Sequence, residues 1–202
     1  MMKRFTPLFS LLVSALVVLS ACGEEAAAPF SGARRTPAPV IEATLPTVDG
    51  ETFEFVAEDD SVLLVYFGFT FCPDVCPTTL ADLSQARNEL GDKADKVDLA
   101  MVTVDPDRDD AESLSNYLES FIPGSIALRT DDDDVLRNAA NEFGVFYEIT
   151  ETEDGDIDVA HSGTVFAIDD EGTLTASWAF GTPATDMIND LQILLAESED
   201  AA

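Results

Sequence analysis

Basic residues are scarce in this chain: Lys and Arg together number 10 against 40 Asp and Glu, a formal net charge of −30. Such a surface lacks the cationic footprint that phosphate backbones require, which excludes nucleic acid as a partner. It also excludes docking on anionic lipid head groups, so any membrane attachment has to come from an anchor. The acids are spread along the whole chain, a pattern that fits solubility in a salty habitat better than steering toward a cationic or metal-bearing partner. The alternating acids and glycine of an EF-hand loop are missing at Asp131–Asp134. That run reads instead as a solvated helix start complementing the helix dipole. There are no internal repeats. Cysteine occurs only three times and histidine once, so few side chains are left to carry metal or thiol chemistry.

What is present begins with an export signal. Lys3 and Arg4 precede an apolar run that ends Leu19-Ser20-Ala21-Cys22, the charged, apolar and small-residue regions of a processed leader. The pattern Leu-Ser-Ala-Cys resembles a bacterial lipoprotein box, and that resemblance makes Cys22 the lipidated first residue of the mature chain. An uncleaved membrane helix is the rival reading, with the apolar stretch at the short limit for spanning. Either way the globular part is exported and membrane-tethered, facing the periplasm or another extracytoplasmic space. The expected organisation is a signal peptide over 1–21, a lipid anchor and flexible Ala-, Pro- and Gly-rich tether over 22–39, one domain over 40–198 and a disordered tail over 199–202.

Within the domain, Val62 to Phe67 has the composition of a buried strand. Gly68 breaks it, and Cys72 and Cys76 then flank the start of a helix expected near Pro77, a residue favoured at the first helical position. The helix dipole there favours thiolate. A four-residue spacing puts both sulfurs on one face if the turn continues helically. Such a pair suits Cu(I), zinc or a reversible disulfide, and equally a structural disulfide or two buried core thiols. Phe67, Phe69 and Phe71 are expected to surround the turn with apolar bulk.

Further along, Phe53-Glu-Phe55 alternates after a turn at Asp49-Gly50, and Leu80, Leu83 and Leu90 mark a helix ending at Gly91. Val97 to Val104 reads as a second buried strand, followed by a turn at Asp105–Asp110 and a helix that stops at Pro123-Gly124. A short strand at Ile126–Leu128 and a helix from Asp132 to Phe143 come next. Val145–Ile149 and Ile157–Val159 flank an acidic turn, as an inserted hairpin would. A second hairpin, Gly163–Asp169 with Leu174–Trp178, and a helix over 184–196 complete the chain. That order predicts an α/β, thioredoxin-like fold: a central mixed β-sheet with helices on both faces and an inserted β-hairpin.

In such a fold the loop before the closing hairpin faces the thiols. Here it carries no proline but holds His161, the only histidine of the chain. Two thiolates and an imidazole form a compact, soft donor set for Cu(I), and also resemble half of a zinc site. A peroxidase reading fails on residue order, because Pro77 and Thr78 follow the second cysteine instead of preceding the reactive one.

Three motifs together, Phe67-Gly-Phe-Thr-Phe-Cys-Pro-Asp-Val-Cys-Pro-Thr-Thr-Leu80, Val104-Asp-Pro-Asp-Arg-Asp109 and His161-Ser-Gly-Thr-Val-Phe166 with a following Asp-Glu-Gly, closely resemble the SCO/SenC family over about Val40 to Glu197. The resemblance implies a membrane-tethered thioredoxin-fold protein that binds copper, as Cu(I) or Cu(II), through two Cys and one His. It implies a copper-binding metallochaperone that helps assemble the binuclear copper centre of cytochrome c oxidase. On this carry-over Cys72, Cys76 and His161 are the metal ligands, and Asp105-Pro-Asp-Arg108 shapes the loop beside them. The implied partners are the copper-receiving subunit of the oxidase and other periplasmic copper chaperones. The alternative is a thiol–disulfide oxidoreductase, with Cys72 and Cys76 as the redox-active pair, keeping cysteines of an oxidase subunit or another copper chaperone reduced. Two departures stand out. Many members have His at the position of Phe71, and many have an acidic residue at the position of Ala160.

Overall fold

The computed structural model describes residues 28–201. The signal, Cys22 and the first part of the expected tether lie outside the described residues. In chain order the elements are β1 (Ala33–Arg34), β2 (Thr44–Pro46), β3 (Thr52–Glu54), β4 (Val62–Gly68), α1 (Val75–Glu89), a 3-10 turn (Gly91–Lys96), β5 (Val97–Thr103), α2 (Ala111–Phe121), β6 (Ile126–Leu128), α3 (Asp133–Phe143), β7 (Tyr147–Glu151), β8 (Ile157–His161), β9 (Val165–Ile168), β10 (Leu174–Trp178) and α4 (Ala184–Ala201).

Six strands form one sheet in the order β1-β10-β9-β4-β5-β6. β4, β5 and β6 run parallel, while β9 lies antiparallel to β4 and β10 antiparallel to β9. β4 is therefore an interior strand, and every residue of Val62–Gly68 is buried. An interior strand covered on both faces needs an unbroken apolar run rather than an alternating one. Helices supply that cover. The Phe67 ring packs on Phe143 of α3 at 5.3 Å between centroids. Gly68, one residue on, faces Cys76 of α1 on the opposite side, and α4 packs beside α1. The mixed sheet with helices on both faces is the predicted fold class.

β7 and β8 form a separate two-stranded sheet, the inserted hairpin, with Tyr147 paired to His161 at its base. Its first strand lies two residues later than the sequence suggests and its second begins as expected but runs two residues further, so His161 ends β8 instead of sitting in the loop after it. β2 and β3 make the hairpin expected around Asp49-Gly50. The acidic run begins α3 as expected: Asp132 accepts the backbone N–H groups of Asp134 and Val135, and Asp133 pairs with Arg137.

Three expectations need correction. First, α1 begins at Val75, so Pro77 is its third residue rather than its first. A proline is harmless there as well, because the first four N–H groups of a helix have no intrahelical acceptor. Second, the expected tether is anchored to the domain between Phe30 and Arg34. Ala33 and Arg34 add an edge strand to β10, and the Asp190 carboxylate accepts Ser31 N at 2.9 Å, Gly32 N at 2.7 Å and the Trp178 indole N–H at 2.8 Å. Gly32 is required at this crossing, since a Cβ there would lie 2.6 Å from Trp178 Nε1. Third, Phe67 and Phe69 are buried but Phe71 is 58% exposed, so it flanks the thiol turn from the solvent side.

Candidate metal centre

The parallel strands β4 and β5 end side by side, with Gly68 paired to Thr103, and the loops that follow them lie together. Val104 N donates to Gly68 O at 2.9 Å. The brace between the loops is Asp109, which is fully buried. Its carboxylate accepts the Thr70 N–H at 3.0 Å, the Thr70 hydroxyl and the Thr103 hydroxyl at 2.6 Å. Arg129 holds the same loop from outside by donating to Asp109 O at 2.7 Å and Pro106 O at 2.9 Å. Asp105 is buried beside its partner Arg108. Burial raises the Asp105 carboxyl above its ordinary range, and the Arg108 guanidinium opposes that rise. The motif Asp105–Asp109 thus fixes Thr70, two residues before Cys72.

Cys72 is half-buried, Cys76 is buried, and both are free thiols. The Cys76 backbone N–H, one of the unsatisfied donors at the start of α1, points to Cys72 Sγ at 3.3 Å. From the other side β8 delivers His161, with Nε2 3.4 Å from Cys76 Sγ. The three donor atoms of Cys72, Cys76 and His161 all lie within 4.8 Å of one another. Bonds of about 2.0–2.3 Å to one three-coordinate ion place donors roughly 3.5–4.0 Å apart. A contraction of about 1 Å or less would therefore close this set on a metal, and two sulfurs with one imidazole nitrogen are chemically suited to soft Cu(I).

The protonation states follow from the surroundings. His161 Nδ1 sits 3.1 Å from Ser162 O. A carbonyl can only accept, so Nδ1 carries the proton and Nε2 presents its lone pair toward the sulfurs. Burial lowers the His161 pKa and keeps the ring neutral, the form that ligates metal. Burial also pushes the Cys76 thiol up to about 12. The thiolate expected from the helix dipole is therefore overridden at Cys76, because desolvation outweighs the dipole at a fully enclosed sulfur.

The walls are aromatic. Phe69 meets His161 edge-on at 5.6 Å and Tyr66 does so at 6.2 Å. Gly68 leaves the room that the sulfur occupies, since a Cβ there would lie 3.0 Å from Cys76 Sγ and 2.7 Å from the Tyr66 ring. An open hollow of about 540 Å³ leads from solvent to Cys72 and His161, bordered by Phe71, Arg108 and Ile157. Arg108 lies over the Phe71 ring at 5.1 Å. Phe71 and Ala160, the two departures noted in the sequence, thus contribute apolar surface at the mouth instead of polar partners for the donors.

The structure brings together all three residues singled out for metal or thiol chemistry, while Cys22 lies outside the described residues. Sequence reasoning missed Asp109 as the brace, Gly68 as the space for sulfur and Tyr66 as a wall. Asp109 and Gly68 stand inside the quoted motifs, so their places were visible and their contacts were not. Tyr66 reads simply as one more apolar position in a buried strand.

Known proteins resemble this arrangement. The chain is 31% identical over 133 residues to the mitochondrial protein SCO2 homolog of Mus musculus, which covers 64% of this chain and 52% of that protein. It spans about half the length of the first curated relatives it matches. Among solved structures, the apo Sco1 protein of Thermus thermophilus superposes with a TM-score of 0.71 at 33% identity, covering 82% of this chain and 97% of that one. ScoI of Bradyrhizobium japonicum with copper bound gives a TM-score of 0.65 at 28% identity, covering 75% and 96%. Residues 38–196 match the SCO1/SenC family model, and the chain belongs to the SCO1/SenC family.

Proposed function

We propose that this protein is a copper metallochaperone that binds one Cu(I) through Cys72, Cys76 and His161 and passes it on during assembly of the binuclear copper centre of cytochrome c oxidase. The observation that carries the reading is the convergence of two free thiols and a neutral imidazole within 4.8 Å from segments 85 residues apart. Kinship with a copper-bound ScoI supports the choice of metal. Binding replaces the S–H protons of both Cys72 and Cys76 by the metal, and the two protons pass to solvent. Release then proceeds by exchange of ligands with thiolates of the receiving subunit, reached through the open hollow beside Cys72. Anaerobic titration of the reduced protein with Cu(I) tests this. One tightly bound ion, much weakened by His161→Ala, is the expected result; no stoichiometric binding, or binding indifferent to His161, would defeat it.

A second reading rests on the unequal exposure of the two thiols. Half-buried Cys72 can attack a partner's disulfide, and buried Cys76 can then resolve the mixed disulfide, so that the partner leaves reduced and Cys72–Cys76 leaves oxidised. Cys76→Ser is expected to trap partners on Cys72 if this exchange occurs, and an empty trap counts against it. The two activities are compatible, since a reduced target can be metallated next.

We further infer that the chain is an exported lipoprotein anchored through Cys22, with the domain of residues 40–198 and its N-terminal strap held outside the cytoplasm. Among the described residues no helix is long and apolar enough to cross a membrane. Cys22→Ser is expected to move the protein from the membrane fraction to the soluble fraction, and unchanged fractionation would refute lipid anchoring.

A further inference from the structure

Tyr66 lies in the middle of the central strand and is fully buried. Its ring stands edge-on to His161, with 74° between the planes. Its hydroxyl is buried and has no hydrogen-bond partner. Cys76 and Thr79 lie near enough to the phenol to affect its ionisation, yet neither makes a hydrogen bond of full geometry with it. Thr79 donates its own proton to Val75 O at 2.8 Å, and the Cys76 sulfur is engaged with His161 Nε2 at 3.4 Å. A buried hydroxyl left without a partner destabilises a fold, and phenylalanine would fill the same space without that cost. The phenol is protonated near neutral pH and can donate.

Metal binding changes what the hydroxyl meets. With Cu(I) in place, Nε2 of His161 turns its lone pair to the ion, and the Cys76 sulfur carries thiolate charge in a dry pocket. A charged acceptor makes a hydrogen bond substantially stronger than a neutral one. Gly68 keeps the Tyr66 ring and Cys76 Sγ around one shared space, with no Cβ between them. We propose that Tyr66 is a positioning residue for copper, donating its hydroxyl proton to the Cys76 sulfur in the loaded protein and so stabilising that state selectively. The inference rests on the copper reading given above and adds a residue outside the three-donor set.

Tyr66→Phe tests it, because packing is kept and only the hydroxyl is lost. Two measurements are made on wild type and variant: thermal unfolding of the metal-free protein, and Cu(I) affinity by competition with a chromophoric chelator at a single pH. The expected result is an unchanged or raised midpoint without metal together with copper binding weakened about tenfold, the loss of one hydrogen bond to a charged acceptor. Equal copper affinity in the two proteins overturns the inference and leaves the three-donor site standing. A metal-free midpoint that falls along with the affinity also overturns it, since the hydroxyl would then serve the fold. Wild-type protein that takes up no Cu(I) overturns both this inference and the copper reading.

Discussion

At the scale of single residues, the candidate site works through contrasts between neighbours. Cys72 and Cys76 are chemically identical, yet one is half-buried and the other is enclosed with its thiol pushed up to about 12. Iodoacetamide at pH 8 is therefore expected to modify Cys72 at least about tenfold faster than Cys76, a difference read by mass spectrometry of the two peptides. Comparable rates would show that α1 opens readily around Cys76. Gly68 offers a second contrast. Its missing Cβ leaves the space used by the Tyr66 ring, Cys76 Sγ and the Met101 methyl, all of which would lie within 3.0 Å. Tyr66 is locked in the core, so the strain of Gly68→Ala cannot be relieved by a swinging side chain. Overpacking of this kind costs about 1–3 kcal/mol in urea unfolding, and weaker copper binding is expected with it.

At the scale of elements, the site is held by two loops and a hairpin rather than by one rigid support. The loop after β4 carries Cys72, the loop after β5 carries the buried Asp109 that grips Thr70, and β8 brings His161. Asp109→Ala leaves the Thr70 N–H and hydroxyl and the Thr103 hydroxyl without their acceptor. The expected loss is on the order of 3 kcal/mol of stability, with a fall in copper affinity beyond that of a remote substitution of equal cost. An affinity that stays at the wild-type value would show that the thiol turn keeps its own shape. The sequence makes the two βα turns legible, because a buried apolar run broken by Gly68 in one, and a buried run followed by the Asp110 helix cap in the other, can be read locally. It does not reveal Asp109 as the brace, since the bond from Asp109 to Thr70 spans 39 residues.

At the scale of the whole molecule, two features stand apart from the site. The N-terminal strap is closed on the sheet by Asp190, which receives two backbone N–H groups and the indole of the only tryptophan. A chain begun at Val40 strips the strap away and leaves that carboxylate with the indole and the Asn189 amide. It is expected to unfold at lower temperature, with red-shifted tryptophan fluorescence as Trp178 meets water; equal midpoints would make the strap a passive cover. The second feature is charge. A net −30 works against compaction through self-repulsion, and salt screens it over about 8 Å at physiological ionic strength. Thermal midpoints are expected to rise between low and roughly physiological salt, and a flat response would mean that the acids are already compensated locally.

The amino-acid sequence by itself determined the elements and the donors. A buried run ending in glycine, two cysteines four apart at a helix start and one histidine in the chain all follow from local composition and spacing. These signals were enough for the thioredoxin-like order and singled out Cys72, Cys76 and His161 as candidates, which the fold brings within 4.8 Å of one another. Tertiary structure alone decided how the donors behave. It overrode the helix dipole at Cys76 by burial, chose the His161 tautomer through Ser162 O, turned Phe71 outward and folded the stretch after Phe30 onto Trp178 and Asp190. Three of the four share one physical reason: dielectric, hydrogen-bond partners and exposure are set there by groups distant in sequence, and no window along the chain contains both sides of such a contact. The Ser162 carbonyl adjoins His161 in the chain, and what tertiary structure adds is its orientation, held where Ser162 N donates to Phe146 O.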